Sequence, residues 1–306
     1  MKRKVVRLGP STLVLSLPSQ WVQQHSIAQG DELEVEESAE GLRIWAGHQR
    51  PQKKSVTLSL SNYTKDDVQA VLTHLYRMGT PSIRLEDIPP SLISYISSIV
   101  HDLLLGFEIT ESHDNVCVLD SVSEPSDEKF ESLLRRVFLI IKETHTTLQK
   151  SCETNTFDKF ADIAELRKQH DRFVMFCKRV IVRSGKNQIL HWELLTFLMH
   201  IEHSYYYLYE YLSEHKLRKN LASLELLSKL ADYYDLLYEA YFKKDIKLLN
   251  KINSMKKAYH METLLNGLEK SRSTETVVLS FIRELFRLVQ ICTSPILAMA
   301  LLSSEI

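Results

Sequence analysis

The sequence predicts a multidomain, mainly α protein with three parts. These are a β-rich head over residues 1–50, a small α/β module over 55–122, and a bundle over 126–306 whose two three-helix halves span about 126–215 and 219–306. Three observations carry that prediction. At 306 residues the chain exceeds what one hydrophobic core usually serves. Its first fifty residues alternate apolar and polar side chains between turn signals, as short strands do. From Ser126 onward apolar residues recur every three or four positions among Glu and Lys, as in "FESLLRRVFLIIKETHTTLQK", which is the pattern of amphipathic helices packed side by side.

Within the head, residues 3–17 alternate, with Leu13, Leu15 and Leu17 sharing a face, and Gly9-Pro10-Ser11 divides the run into two strands. Pro18 ends the second strand and suits the first turn of a helix, because its ring fixes φ and that turn needs no amide donor. "SQWVQQHS" is then a short helix, with Trp21 as the plug of a small core. Gly30-Asp31 turns the chain into "ELEVEE", which pairs with "GLRIWA" around Glu40-Gly41, giving the order β-β-α-β-β. A unit so small has a poor ratio of core to surface, and pairing with a second copy would remedy that.

Past the basic stretch "HQRPQKK", strand and helix alternate through "SVTLSL", "TKDDVQAVLTHLYRMG", "SIRLED", "PPSLISYISSIVHDLLLGFE" and "VCVLDSV". Thr64 followed by Asp67 marks a helix start, and Gly79 with Pro81 marks its end. In the bundle, breaks near Thr154-Asn155, Ser184-Gly185-Lys186, His215–Asn220, Lys243–Asp245 and Ser271–Ser273 delimit about six helices. The apolar "LVQICTSPILAMALL" is short, contains Gln290 and Pro295, and reads as a buried helix.

Composition narrows the function. A 44% hydrophobic and 25% charged chain is a folded protein, and a net charge of -1 means that any polyanionic partner must meet a local patch. Such a patch is present: no acidic residue precedes Asp31, whereas Lys2, Arg3, Lys4 and Arg7 fall in the first seven positions. Glu32, Glu34 and Glu36 share one face of a later strand, as a solvated side that repels DNA. Four scattered cysteines form no C-x-x-C pair, which fits a reducing cytoplasm, and no signal peptide is evident. No nucleophile elbow, dinucleotide fingerprint or zincin helix is present; "RSGKN" lacks phosphate-loop spacing, and an enzyme is not expected.

The head's basic strand, Gly9-x-Ser11 turn, Ser16-Leu17-Pro18 strand end, Trp21 helix and Gly30-Asp31 turn resemble the AbrB/SpoVT swapped-hairpin family. The resemblance implies a dimeric DNA-binding module, with Lys2, Arg3, Lys4, Arg7 and Ser11 at the DNA. An AbrB-like head also serves antitoxins, but those carry a short disordered tail where this chain has a long bundle. The bundle, with "LYRMGTPSIRLED" and "LLLGFEIT" before it, resembles the PhoU family of phosphate uptake regulators in the archaeal form with an AbrB-type head. That implies a cytoplasmic regulator acting on DNA, as a homodimer, in phosphate control. The alternative is an adaptor that contacts phosphate-transport or sensor proteins and uses the head only to dimerise.

PhoU-like helices often bind metal clusters through acidic residues. Here Asp158, Asp162, Glu165 and Asp171 lie on the second bundle helix, and His200 and His203 are helix neighbours that would be able to share a metal. Against this, Tyr206 and Gln290 occupy the positions where the family pattern has Asp, and both are poor ligands. Asp162, Glu165, His200 and His203 are therefore weak candidates for a metal ion, and no cofactor is assigned. The five tyrosines from Tyr205 to Tyr211 read as helix packing.

Overall fold

In the head, Val5–Leu8 (β1) and Thr12–Leu15 (β2) form an antiparallel hairpin pairing Val5 with Leu15 and Arg7 with Leu13. Gly9, at φ +78°, supplies the left-handed turn residue. Ser19–Gln24 (α1) follows, with Pro18 at its N-cap in extended conformation rather than inside the first turn. Leu33–Ser38 (β3) and Gly41–Ala46 (β4) make a second antiparallel hairpin. The order is β-β-α-β-β, but the hairpins do not pair with each other: each is a sheet of two strands.

This computed structural model describes residues 2–38, 41–46, 55–123, 127–184, 188–215 and 221–303. The described residues are mainly α, 68% helical, with a strand-rich N-terminal region and a helical body. The Glu40 turn, the basic stretch 48–54, residues 185–187 and the side chains of Glu34 and Glu36 lie outside the described part. Two compact units divide the chain, Met1–Lys54 and Ser55–Ile306.

The second unit opens with Val56–Ser59 (β5), Lys65–Arg77 (α2), Ser82–Glu86 (β6), Pro90–Leu103 (α3), Phe107–His113 (β7) and Val116–Ser121 (β8). The sheet order is β5-β6-β8-β7, with β5 parallel to β6 and the other pairs antiparallel. A row of Val56, Ile83, Leu119 and Ile109 crosses all four strands, and buried Leu72, Tyr76, Leu92, Ile96 and Ile99 of the helices belong to the same core. Thr64 and Asp67 cap α2 reciprocally: Thr64 N–H donates to Asp67 Oδ2 at 2.9 Å and Asp67 N–H to Thr64 Oγ1 at 3.2 Å.

The sequence assigned "LLLGFE" to the end of a helix, and the structure corrects this. The helix stops at Leu103, and Gly106, at φ +80°, turns the chain into β7. A Cβ on Gly106 would lie 2.5 Å from Ser123 O, so only glycine fits.

Among the described residues eight helices complete the unit: Asp127–Thr154 (α4), Phe160–Ser184 (α5), Ile189–Glu214 (α6), Leu221–Lys243 (α7), Ile246–Lys256 (α8), Leu264–Lys270 (α9), Thr274–Ile291 (α10) and Thr293–Ser303 (α11). A π-helical turn, Lys257–Thr263, joins α8 to α9, and only Cys292 separates α10 from α11. Counting each joined pair as one rod gives two sets of three. Leu194, Leu198, Ile201, Tyr205, Leu208 and Leu212 form the buried stripe of α6 at alternating spacings of four and three. Thr274–Leu302 is long and apolar enough to cross a membrane, yet half of its apolar window is buried in this unit.

The α/β module keeps a core of its own, but α2 and α3 pack on α5, so the sequence boundary near residue 122 is a change of pattern inside one compact unit. The join is polar. Arg179 of α5 is fully buried; its Nη1 donates to Tyr76 O at 2.8 Å and Thr80 O at 2.9 Å, and its guanidinium lies 5.0 Å from the Tyr76 ring and 4.8 Å from that of Phe107. Arg183 Nη1 donates to Gly79 O at 3.2 Å. Two cations of one helix thus satisfy carbonyls where α2 ends, at the negative end of its dipole.

Candidate nucleic-acid interface

The head presents the candidate site. Lys2, Arg3, Lys4, Arg7 and Ser11 are all exposed on or beside the β1–β2 hairpin, and the four cations form no ion pair among the described residues. Without an ion pair to a described carboxylate they are available to phosphates, and each one engaged releases condensed counterions. The Gly9 turn places Ser11 between the strands, and cross-strand pairing puts Arg7 on the face of Leu13. At the far end Asp31 Oδ2 accepts from Ala28 N–H at 2.7 Å, and Gly30, at φ +99°, lets the chain enter β3.

The hairpins are unusual in their exposure. Within a single chain Val5 is 60%, Leu8 66% and Leu13 68% exposed, and Val35 and Leu42 are likewise in solvent. Trp21 is half-buried beside His25, at 5.2 Å between ring centroids, so among the described residues of the head it does not plug a core. Strands this apolar on both faces are stable only when covered.

A family model described as antidote-toxin recognition MazE, bacterial antitoxin, matches residues 6–56. The match spans both hairpins and the intervening helix and supports an AbrB-like N-terminal domain, a type that binds DNA and dimerises. No curated protein and no solved structure matches the chain.

The weak metal candidates do not converge. Asp162 is exposed and lies 3.6 Å from Lys159 Nζ, and Glu165 accepts from Gln169. His203 Nε2 donates to Asp171 Oδ1 at 2.8 Å, while His200 is exposed. Among the described residues no group of three or more His, Cys, Asp or Glu is placed to hold a metal ion. Helix neighbours in sequence are not enough, because each of these groups already has a local partner or faces solvent.

Within the tyrosine run Tyr205 and Tyr209 pack with their hydroxyls inside, whereas Tyr206 and Tyr211 are half-buried and Tyr207 is exposed. Tyr205 OH bonds His145 Nδ1 at 2.9 Å, and Tyr209 OH accepts from Lys159 N–H at 2.9 Å. Sequence reasoning missed the buried ionisable groups around it. Glu202 is fully buried with Thr144 Oγ1 donating to it at 2.7 Å, and burial pushes its carboxyl up to about 8. Burial, aided by the Arg77 charge, pulls Lys178 down to about 8; its ammonium donates to Thr196 and lies over the Trp192 ring. Burial opposes the Asp171 charge, but His170 and His203 hold its carboxyl below the ordinary range. The available signal was Lys178-Arg179 inside "FVMFCKRVIV", where apolar neighbours on every side leave little solvent face.

Proposed function

We propose that this chain is a DNA-binding transcriptional regulator of phosphate uptake, in which a dimerised AbrB-like head contacts DNA through Lys2, Arg3, Lys4, Arg7 and Ser11 and a PhoU-like body senses or relays phosphate status. The observation that carries the DNA part is the set of four exposed, unpaired cations on a hairpin of the matched domain. The uncovered apolar residues of both hairpins support the homodimer, because a second copy would bury them and double the positive charge. The phosphate part rests on the sequence resemblance of the body to PhoU proteins. The antitoxin named in the family description fits less well, since a long helical body, Asp127–Ser303, follows the α/β module. The proposed role is regulatory rather than catalytic, and cytoplasmic.

Fluorescence anisotropy on DNA upstream of phosphate-transport genes, over a salt series, tests this. Each phosphate neutralised contributes about 0.9 to the slope of log K against log salt, so four cations per chain set a limit of about 7 for a dimer. Arg3→Glu with Arg7→Glu removes half of those contacts and should abolish measurable binding at moderate salt. Absence of wild-type binding at low salt would overturn the proposal and leave a dimerised adaptor acting by protein contact.

A further inference from the structure

The π-helical turn Lys257–Thr263 faces α10 across a well-defined register. Gly267 lies against Leu279, Tyr259 stacks on Phe286 at 4.8 Å between centroids, and Gln290 donates to Asn253 Oδ1 at 3.1 Å. Leu279, Phe286 and Gln290 therefore mark the face of α10 that looks onto the α8–π–α9 rod, and Arg283, four residues after Leu279 and three before Phe286, belongs to it.

On the other side of that seam His260 is 5% exposed, and its Nε2 has no hydrogen-bond partner; the Nε of Arg283 is likewise buried without one. Buried polar nitrogens are nearly always satisfied, so two orphans on facing elements need an explanation. The surrounding charge points to one. Lys256, Arg283 and Arg287 all act on the His260 ring, which burial and these cations together keep below its ordinary pKa. The single carboxylate acting on it, Glu284, is held by Arg287 through two bonds of 2.8 and 3.0 Å. Lys256 and Arg283 form no side-chain hydrogen bond or ion pair among the described residues. Excess positive charge, two buried nitrogens without partners and a π turn, a device frequent at functional sites, occur together here.

We propose that the π turn and the facing stretch of α10 bind a small oxyanion of the phosphate class, with His260 Nε2 and the Arg283 guanidinium as inner donors and Lys256 at the rim. An oxyanion supplies several acceptor lone pairs and the missing negative charge, and the planar guanidinium suits it. The proposal deepens the reading of the body as a phosphate-status sensor and rests on that reading for its choice of probe.

Isothermal titration calorimetry of the full chain with inorganic phosphate, at pH and ionic strength matched with chloride, tests it on wild type, Arg283→Gln and His260→Gln. Arg283→Lys serves as a variant that keeps the charge, and far-UV circular dichroism checks the fold of each. Saturable wild-type binding that weakens about tenfold or more in both Gln variants is expected, since each loses a charge-assisted bond or a buried donor. Binding that persists unchanged in the folded Arg283→Gln protein would overturn the site while leaving phosphate sensing elsewhere in the body. Absence of any saturable wild-type binding would overturn both.

Discussion

Replacing Arg179 with methionine isolates the polar join between the α/β module and the helices, because the apolar stem is kept while the guanidinium is lost. Two bonds to carbonyls disappear, Tyr76 O at 2.8 Å and Thr80 O at 2.9 Å, together with the ring contacts to Tyr76 and Phe107. Hydrogen bonds to a charged group contribute about 1.5–3 kcal/mol each. Against that, removing a buried cation recovers part of its desolvation cost. The partners are neutral carbonyls, and Tyr76 O still accepts from Gly79 N–H at 3.0 Å, so no bare charge is left behind. The net loss should be about 2–4 kcal/mol, or about 5–10 °C in Tm for a unit of this size. Urea denaturation followed by circular dichroism measures the first and a thermal scan the second. Arg183→Met, which gives up a longer bond of 3.2 Å at a half-buried site, should cost about 1 kcal/mol or less. A change within about 0.5 kcal/mol for Arg179→Met would refute the claim that these bonds join module and helices.

Glu202 gives a pH-dependent prediction. Its folded pKa of about 8 lies above the ordinary 4.5, so the folded state holds a proton that the unfolded state releases between these values, and stability falls as pH rises through that window. Glu202→Gln should therefore gain on wild type between pH 5 and 9, by an amount on the order of several kcal/mol at most; parallel urea curves for the two proteins would contradict it. Gly106→Ala forces a left-handed φ on a residue with a Cβ and drives that atom onto Ser123 O, for a loss of about 2–4 kcal/mol by denaturation. Gly9→Ala, with the same sign of φ but open space around it, should cost only about 1 kcal/mol. Leu13→Asp with Leu15→Asp in the full chain should shift sedimentation towards monomer, and an unchanged oligomer would place the dimer contact elsewhere.

What was legible in the sequence was what short-range chemistry decides. Gly9 at its turn and the reciprocal cap of Thr64 and Asp67 act within three or four residues, and both are where the pattern put them. Strand β7 was hidden because "HDLLLGFE" is apolar throughout, so period alone could not separate the end of a helix from the start of a strand; Gly106 was the overlooked signal. Trp21 was misread because the described residues of the head do not cover its own apolar strands. Arg179 and Glu202 escaped because charged residues are expected outside, and only the fold shows the carbonyls and hydroxyl that make their burial tolerable. The π turn has no periodic signature, since one extra residue in a helical run leaves the apolar spacing nearly intact.

The uncovered hairpins have a kinetic and quantitative consequence. If the head dimerises as proposed, hairpins whose Val5, Leu8, Leu13 and Leu42 lie in solvent would gain their order from a bimolecular event, and the folded fraction of the head would scale with how many chains are present. Below the association midpoint, halving the amount of protein reduces the paired form about fourfold. Expression level itself then becomes an input: synthesis, dilution by growth and proteolysis would each tune occupancy more steeply than any one-to-one binding curve allows.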